Sequence, residues 1–293
     1  MRDERDRIAV GAAIERLGAD FRWPGGRKVA VVFNVAYEGW SEGVAPGLGP
    51  MGNPLPPGVF DTNALSWGSY GDTRGIGRLL DVLRRVRIKS SVMVSGIFAE
   101  RSPAAVKAIA DAGHEIVAHA FAQDIIPAKL TAKEAEADIA RTTEALASVA
   151  GVRPAGWISP RGTPHPHSAR LLAAAGYAWQ GDVFDDDRPY LQSFDTGSIV
   201  AIPLTMEIND LPHAMRFGRS PRDFVERFQD LLAHSLARED QAVMIDVTAH
   251  CHVYGRPSGA AAFEETCRLA QADGAVWIAT RLEIAHHVRA VLG

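Results

Sequence analysis

The sequence predicts an α/β fold built on a parallel sheet, closed or partly closed as a (β/α) barrel. Three observations carry this. Short apolar, β-branched runs alternate with amphipathic segments in seven or so units, a rhythm that implies parallel strands joined by right-handed crossovers. The first run, "KVAVVFNV" at 28–35, is apolar almost without interruption, as suits a strand covered on both faces. An open nucleotide-binding sheet would need its glycine fingerprint directly after a strand. "GIGRLL" at 75–80 has two of the three glycines and is preceded by "WGSYGDTR" instead.

The elements follow in order. After the strand at 28–35 comes "GVAPGLGPMGNPLPPGVF" at 43–60, a long proline- and glycine-rich loop that reads as a lid or binding loop, or as an interface-packing excursion. Helical spacing over 75–86 sets Leu79, Leu80 and Leu83 on one side. "KSSVMVSG" at 89–96 is the next strand, and Ser102-Pro103 open a helix to about 112, serine as N-cap and proline in the first turn. "HEIVAHA" at 114–120 is a strand. Thr131 and Glu134 form a capping-box signature for a helix to about 147. A strand at 155–159 precedes a helix at 168–176 stopped by Gly176. Short strands follow near 177–182 and 198–204. Ser220-Pro221 start a helix to about 236, and strands at 242–250 and 275–280 flank another. Thr280 and Glu283 form a second capping box for the last helix.

Composition narrows the function classes. The 293 residues are 47% apolar and 23% charged, enough for a large core, and one barrel domain across 1–293 fits that length. A net charge of -4 without a basic stripe argues against a nucleic-acid partner. No segment has the roughly 20 apolar residues that span a bilayer. Cys251 and Cys267 are too few for a disulfide framework. The charged start, "MRDERDRIAVGAAI", has no export signal, so a cytoplasmic location is expected.

In parallel strand–helix folds chemistry gathers at the C-terminal strand ends. Those ends carry Asn34, Tyr37, Glu38 and Trp40; His119, Gln123 and Asp124; Ser159 and Arg161; Glu207, Asn209 and Asp210; and His250 and His252. "HEIVAH" at 114–119 superficially suggests a zinc-protease helix. Its histidines are five apart on a strand, so they face opposite ways and do not share a ligand. Cys251 should likewise point away from the two histidines that flank it, and His165, His167, His286 and His287 read as non-catalytic.

The segments "FNVAYEGW", "YGDTRGIGRLLDVL", "GHEIVAHAFAQD", "GVRPAGWISPR", "DDDRPY", "IPLTMEIND" and "HCHVYGRP" resemble the NodB-like polysaccharide deacetylase superfamily over most of the chain. Within it they resemble the branch of cofactor-independent allantoinase and cyclic-imide hydrolases. The resemblance implies a distorted (β/α) barrel that hydrolyses non-peptide C–N bonds, as a homo-oligomer. Metal-dependent members carry Asp-x-Asp where this chain has Asn34-Val35-Ala36, and His-x-x-x-His where it has His119 and Gln123. One remaining imidazole does not hold a catalytic zinc, which takes three protein ligands. A metal-free site is therefore favoured. Zinc held by His119 with Glu38 and His250 or His252 is the alternative.

Metal-free amide hydrolysis needs a base, carbonyl polarisation and a proton donor. Glu38 is expected as base, its pKa raised by desolvation beside Tyr37 and Trp40. His119 would orient water or donate a proton, and His250 or His252 would protonate the leaving nitrogen. Arg161 either fixes a carbonyl or carboxylate or pairs with Asp185, Asp186 or Asp187. Trp40 and Trp157 would wall a planar ring, and Gln123, Asn209 and Asp210 would hydrogen-bond its edge. The expected reaction opens a small cyclic amide, imide or ureide. The alternatives are a metal-dependent polysaccharide or peptidoglycan N-deacetylase and a non-catalytic barrel that binds a small metabolite.

Overall fold

Strands β2 (Val29–Tyr37), β3 (Ser91–Val94), β4 (Glu115–Ala118), β5 (Gly156–Trp157), β6 (Trp179–Gln180), β8 (Gly197–Ala201) and β9 (Val243–His250) lie in the order β9-β2-β3-β4-β5-β6-β8, every pair parallel. The computed structural model describes residues 11–47, 49–51, 55–56 and 58–293. The proline-rich loop read at 43–60 and the charged start therefore lie partly outside the described residues. Strand β10 (Val276–Ala279) pairs with the first half of β2, parallel. The mixed α/β fold with a parallel sheet is as expected. β9 meets the 183–209 segment by isolated contacts: the Asn209–Thr248 bridge, and the Met244 amide donating to the Asp187 carbonyl at 3.0 Å.

Two strands were not anticipated. β1 (Ala13–Arg16) pairs antiparallel with β7 (Tyr190–Phe194), which pairs antiparallel with β8. Their short, polar-interrupted sequences, "AIER" and "YLQSF", carry too weak an alternation to be read without their partners.

Helices α1 (Thr62–Tyr70), α2 (Ile76–Val86), α3 (Phe98–Arg101), α4 (Pro103–Asp111), α5 (Ala132–Ala150), α6 (Ser168–Ala174), α7 (Pro221–Ala237), α8 (Pro257–Ala272) and α9 (Arg281–Leu292) cover the sheet. The Thr131–Glu134 and Thr280–Glu283 boxes both form, and Ser220 makes a third with Asp223. Ser102 makes no cap; its hydroxyl donates to Asp72 at 2.8 Å. A π-turn over Gly71–Gly75 joins α1 to α2, so "WGSYGDTR" is helical.

Side-chain parity on the strands decides what faces the interior. On β2 the odd residues Val31, Phe33, Val35 and Tyr37 pack beneath the helices, with Leu79, Val82, Phe224 and Phe263. Ala30, Val32 and Ala36 point inward, with Met93, Val117, Ile158 and Met244 of other strands. Continuing the same parity past the strand ends aims Glu38, His119 and His250 into one interior.

Below them sits a buried polar plug. Arg281, at the start of α9, is wholly buried. Its Nε donates to Asn34 Oδ1 at 3.0 Å, Nη2 to Asp246 Oδ1 at 2.7 Å and Nη1 to the Ile202 carbonyl at 3.1 Å. Asn34 Nδ2 also donates to Asp246. Burial, the largest influence, pushes the Asp246 pKa up, and Arg281 and Asn34 draw it back.

Removing one partner of a buried ion pair leaves an uncompensated charge. Arg281→Met is accordingly expected to cost about 3–5 kcal/mol in denaturant unfolding, and adding Asp246→Leu should return much of it. A single variant as stable as the parent would show that this pair does not hold the fold.

Candidate active site

The interior opens at the C-terminal strand ends as a cavity of about 450 Å³, within the range of small-molecule sites. Glu38, Trp40, Gln123, His119, Arg161, Asn209, His250 and His252 all line it. Three of them, all histidines, converge on the Glu38 carboxylate. Glu38 Oε1 lies 3.3 Å from His119 Nε2 and 3.6 Å from His250 Nε2, and Oε2 lies 3.8 Å from His252 Nδ1. All four side chains are buried.

Each histidine is held differently. His119 Nδ1 is 2.6 Å from the Ile158 carbonyl, so it carries a proton and donates, leaving Nε2 toward Glu38. The chain turns sharply after it, with Ala120 at φ 53°, a left-handed conformation that costs a non-glycine residue about 1 kcal/mol. His250 Nδ1 donates to Asp210 Oδ1 at 2.6 Å. Asp210 Oδ2 also accepts the backbone amides of His250 and Tyr254, at 2.8 and 3.0 Å. His252 Nδ1 has no hydrogen-bond partner. Its ring meets Trp67 edge-on at 4.6 Å and Trp40 at 5.5 Å.

Glycines set this turn. A Cβ on Gly75, in the π-turn, would lie 2.0 Å from the Cys251 carbonyl oxygen, and one on Gly255 would meet the same atom at 2.0 Å. Backbone packs on backbone here, which only glycine permits. Cys251 itself is buried on the helix side, as parity required.

Burial is the largest influence on Glu38 and acts to raise its pKa. The field of His250, the His119 hydrogen bond and the field of His252 together outweigh it and bring the carboxyl down to about 2. This corrects the expectation of a raised value, because desolvation was counted without the cations. For His250, burial acts to lower the pKa, and Asp210 with Glu38 overcome it and raise it to about 9. His252 falls to about 4, through burial first. The resting site thus holds an anionic Glu38 against a cationic His250, with His252 neutral.

Three residues expected at the substrate lie elsewhere. Tyr37 stacks on Phe98 at 3.7 Å and its hydroxyl donates to Asp72, on the helix side of β2. Trp157 has the outward parity on β5 and packs against Tyr177, its Nε1 donating to Ser159 at 3.1 Å. Asp210 is wholly buried behind His250. Arg161 lines the cavity, while Asp185 and Asp186 pair with Arg16 instead. His114 is buried on the opposite face from His119, its Nδ1 accepting the Ser90 amide at 3.1 Å.

Other lining residues escaped the sequence reading. Trp67 sat in a segment with no recognisable element. Phe184 lies in the loop after β6, Met206 opens a 3-10 turn (Met206–Ile208) after β8, and Arg216 ends a π-turn (Leu211–Arg216). Behind the lining Ser159, Asp182, just past β6, accepts the Ser159 amide and hydroxyl at 2.7 and 2.6 Å. Burial, partly offset by Ser159, raises its carboxyl to about 6. The strand-end rule would have found it had β6 been placed at its two residues.

The metal positions of metal-dependent relatives do not fit a metal here. Asn34 is engaged by Arg281 and Asp246, and Ala36 has no donor atom. Gln123 spends its amide on Ser95 Oγ at 3.0 Å and the His119 carbonyl at 3.2 Å. Among the described residues, no group of three or more His, Cys, Asp or Glu is placed to hold a metal ion.

The His250 imidazolium can be read directly. Its stability contribution is complete below the ordinary histidine value of 6.5 and is lost as pH rises through about 9; that of Glu38 is complete above 4.5 and is lost as pH falls through about 2. NMR titration should find His250 protonated at neutral pH, and Asp210→Asn should lower its midpoint. An unchanged midpoint in that variant would remove Asp210 as the cause.

Comparison with known proteins bears on this geometry. Residues 60–179 match the family model described as polysaccharide deacetylase. The structure of PuuE allantoinase superposes with a TM-score of 0.83 at 27% identity, covering 99% of this chain and 98% of that one. That of a probable polysaccharide deacetylase from Pseudomonas aeruginosa PAO1 superposes with a TM-score of 0.81 at 28% identity, over 90% and 92%. A Helicobacter pylori peptidoglycan deacetylase is 25% identical, over 65% of this chain and 71% of its own.

Proposed function

Since the chain is a NodB-like hydrolase of non-peptide C–N bonds, we propose that it opens a small cyclic ureide, imide or amide without a metal. The observation that carries this is the Glu38 carboxylate ringed by three histidines, in a chain whose counterparts of the metal positions are Asn34, Ala36 and Gln123. The extent of the likeness to PuuE allantoinase favours a ureide ring.

Glu38 Oε2 and the unpartnered His252 Nδ1, 3.8 Å apart, leave room for one water hydrogen-bonded to both, at about 2.8 Å from each. That water attacks the ring carbonyl. A new C–O bond forms, Glu38 takes the water proton, the ring C–N bond breaks, and His250 gives its proton to the leaving nitrogen. The product is a carboxylic acid, which releases its remaining proton to solvent as a carboxylate, with a free amide, amine or urea end.

A carboxylate of pKa about 2 is a weak base at rest. The two transfers remedy this together. When His250 yields its proton, its field on Glu38 vanishes and burial dominates, so Glu38 becomes a better acceptor. The proton then returns from Glu38 to His250 across 3.6 Å. Asp210 holds the ring of His250 through this cycle, and Ile158 fixes the ring of His119 beside Glu38.

The assay is ring opening of allantoin, hydantoin and succinimide, with metal content measured before and after chelation. Activity that survives chelation is expected, with Glu38→Gln reducing it by about 10³-fold. The kcat/KM profile should fall as pH rises through about 9, where His250 loses its proton. Stoichiometric zinc whose removal ends activity would overturn the mechanism, and release of acetate from N-acetylated sugars instead would assign the chain to deacetylation.

A further inference from the structure

The outer wall of the cavity carries three cations, Lys129, Arg161 and Arg216. Among the described residues none of them is paired with a carboxylate, whereas Arg16, Arg84, Arg85, Arg170 and Arg268 all are. Two carboxylates also line the cavity. Glu38 is matched by His250 at the floor, and Asp124 Oδ1 accepts the Ser41 amide at 2.8 Å. The wall therefore has a surplus of positive charge.

Arg161 is also held in an unfavourable backbone. It sits at φ 59°, between Pro160 and Gly162, itself at φ 59°. A Cβ on Gly162 would come within 2.8 Å of Phe184, which lines the same wall. Strain in a non-glycine residue persists where the surroundings impose it, and it concentrates at ligand clamps. A short turn pressed on Phe184 thus places a guanidinium on the cavity with no partner of its own.

We propose that Arg161 and Arg216, with Lys129, bind a carboxylate on a side arm of the substrate ring, so that the physiological substrate is an anionic cyclic ureide or imide. This rests on the ring-opening reading. It deepens it, because an unsubstituted ring would leave much of a cavity of about 450 Å³ unfilled, and guanidinium forks match carboxylates in charge and geometry. The ring stands over Glu38, and the carboxylate reaches the three cations that line the same cavity.

The test compares hydantoin-5-acetate with hydantoin-5-acetamide, two side arms of nearly equal size that differ in charge. The parent enzyme should favour the acetate in kcat/KM by about 10-fold or more, the worth of one charge-assisted hydrogen bond. The preference should shrink at about 1 M salt, where the screening length is about 3 Å. It should collapse in an Arg161→Gln/Arg216→Gln double variant and weaken in Lys129→Gln. Equal use of the two compounds by the parent, or a preference that survives the double variant, overturns the proposal. If neither ring opens, the ring-opening reading fails and calorimetry judges the site by itself. Tighter binding of the acetate that the double variant loses upholds it; equal or absent binding overturns it.

Discussion

One buried guanidinium organises the molecule. Arg281 brings a full charge into the interior, and every hydrogen-bonding direction it uses ends on a different part of the fold: Asn34 on β2, Asp246 on β9 and the chain leaving β8 at Ile202. Its own amide donates to Ser91 on β3 at 2.8 Å, and the next amide, of Leu282, to Glu115 on β4 at 3.0 Å. The N-terminus of α9 is thereby fastened to five strands or strand ends. A buried charge tolerates no loose partners, so this count is close to fixed. With one cation and one carboxylate, the neutral amide of Asn34 completes the set. A second carboxylate at that position would need another positive charge beside it.

That plug is the floor on which the site stands, and the site repeats its electrostatic logic one layer higher. Burial disfavours charge on Glu38 and on His250 alike, yet each keeps the other ionised, with Asp210 supporting the histidine. A pair stabilised in this way is poised for coupled proton movement, since discharging one member removes the reason for the other to stay charged. Geometry is kept by backbone rather than by flexible side chains. Asp210 binds two amides of the 250–254 turn, and Gly75 and Gly255 let neighbouring segments close directly on Cys251.

The same scaffold accommodates proteins described as allantoinase and as deacetylase. In this chain the positions that differ from metal-dependent members are not vacant. Asn34 has become part of the plug, and Gln123 ties the His119 carbonyl to Ser95. Donors that would face an ion serve instead to brace the framework around Glu38. Replacing them singly would disturb the packing of charge beneath the site as well as its chemistry.

The sequence by itself determined the alternation of strands and helices, the two capping boxes and the clustering of Glu38, His119 and His250 at strand ends, because each depends on local periodicity or on neighbouring residues. It also implied the parity that separates His114 from His119. The same parity, applied to Tyr37 beside Glu38 and to Trp157 beside Ile158, puts both aromatics on the helix side, away from the cavity their residue types suggest. Only the tertiary structure placed β1 and β7, whose pairing is antiparallel and distant in sequence. It alone set Asp210 behind His250, chose Arg16 as partner of the acidic run, and reversed the direction of the Glu38 pKa. Those outcomes are sums of fields and contacts from chain segments far apart in sequence, and no local pattern carries them.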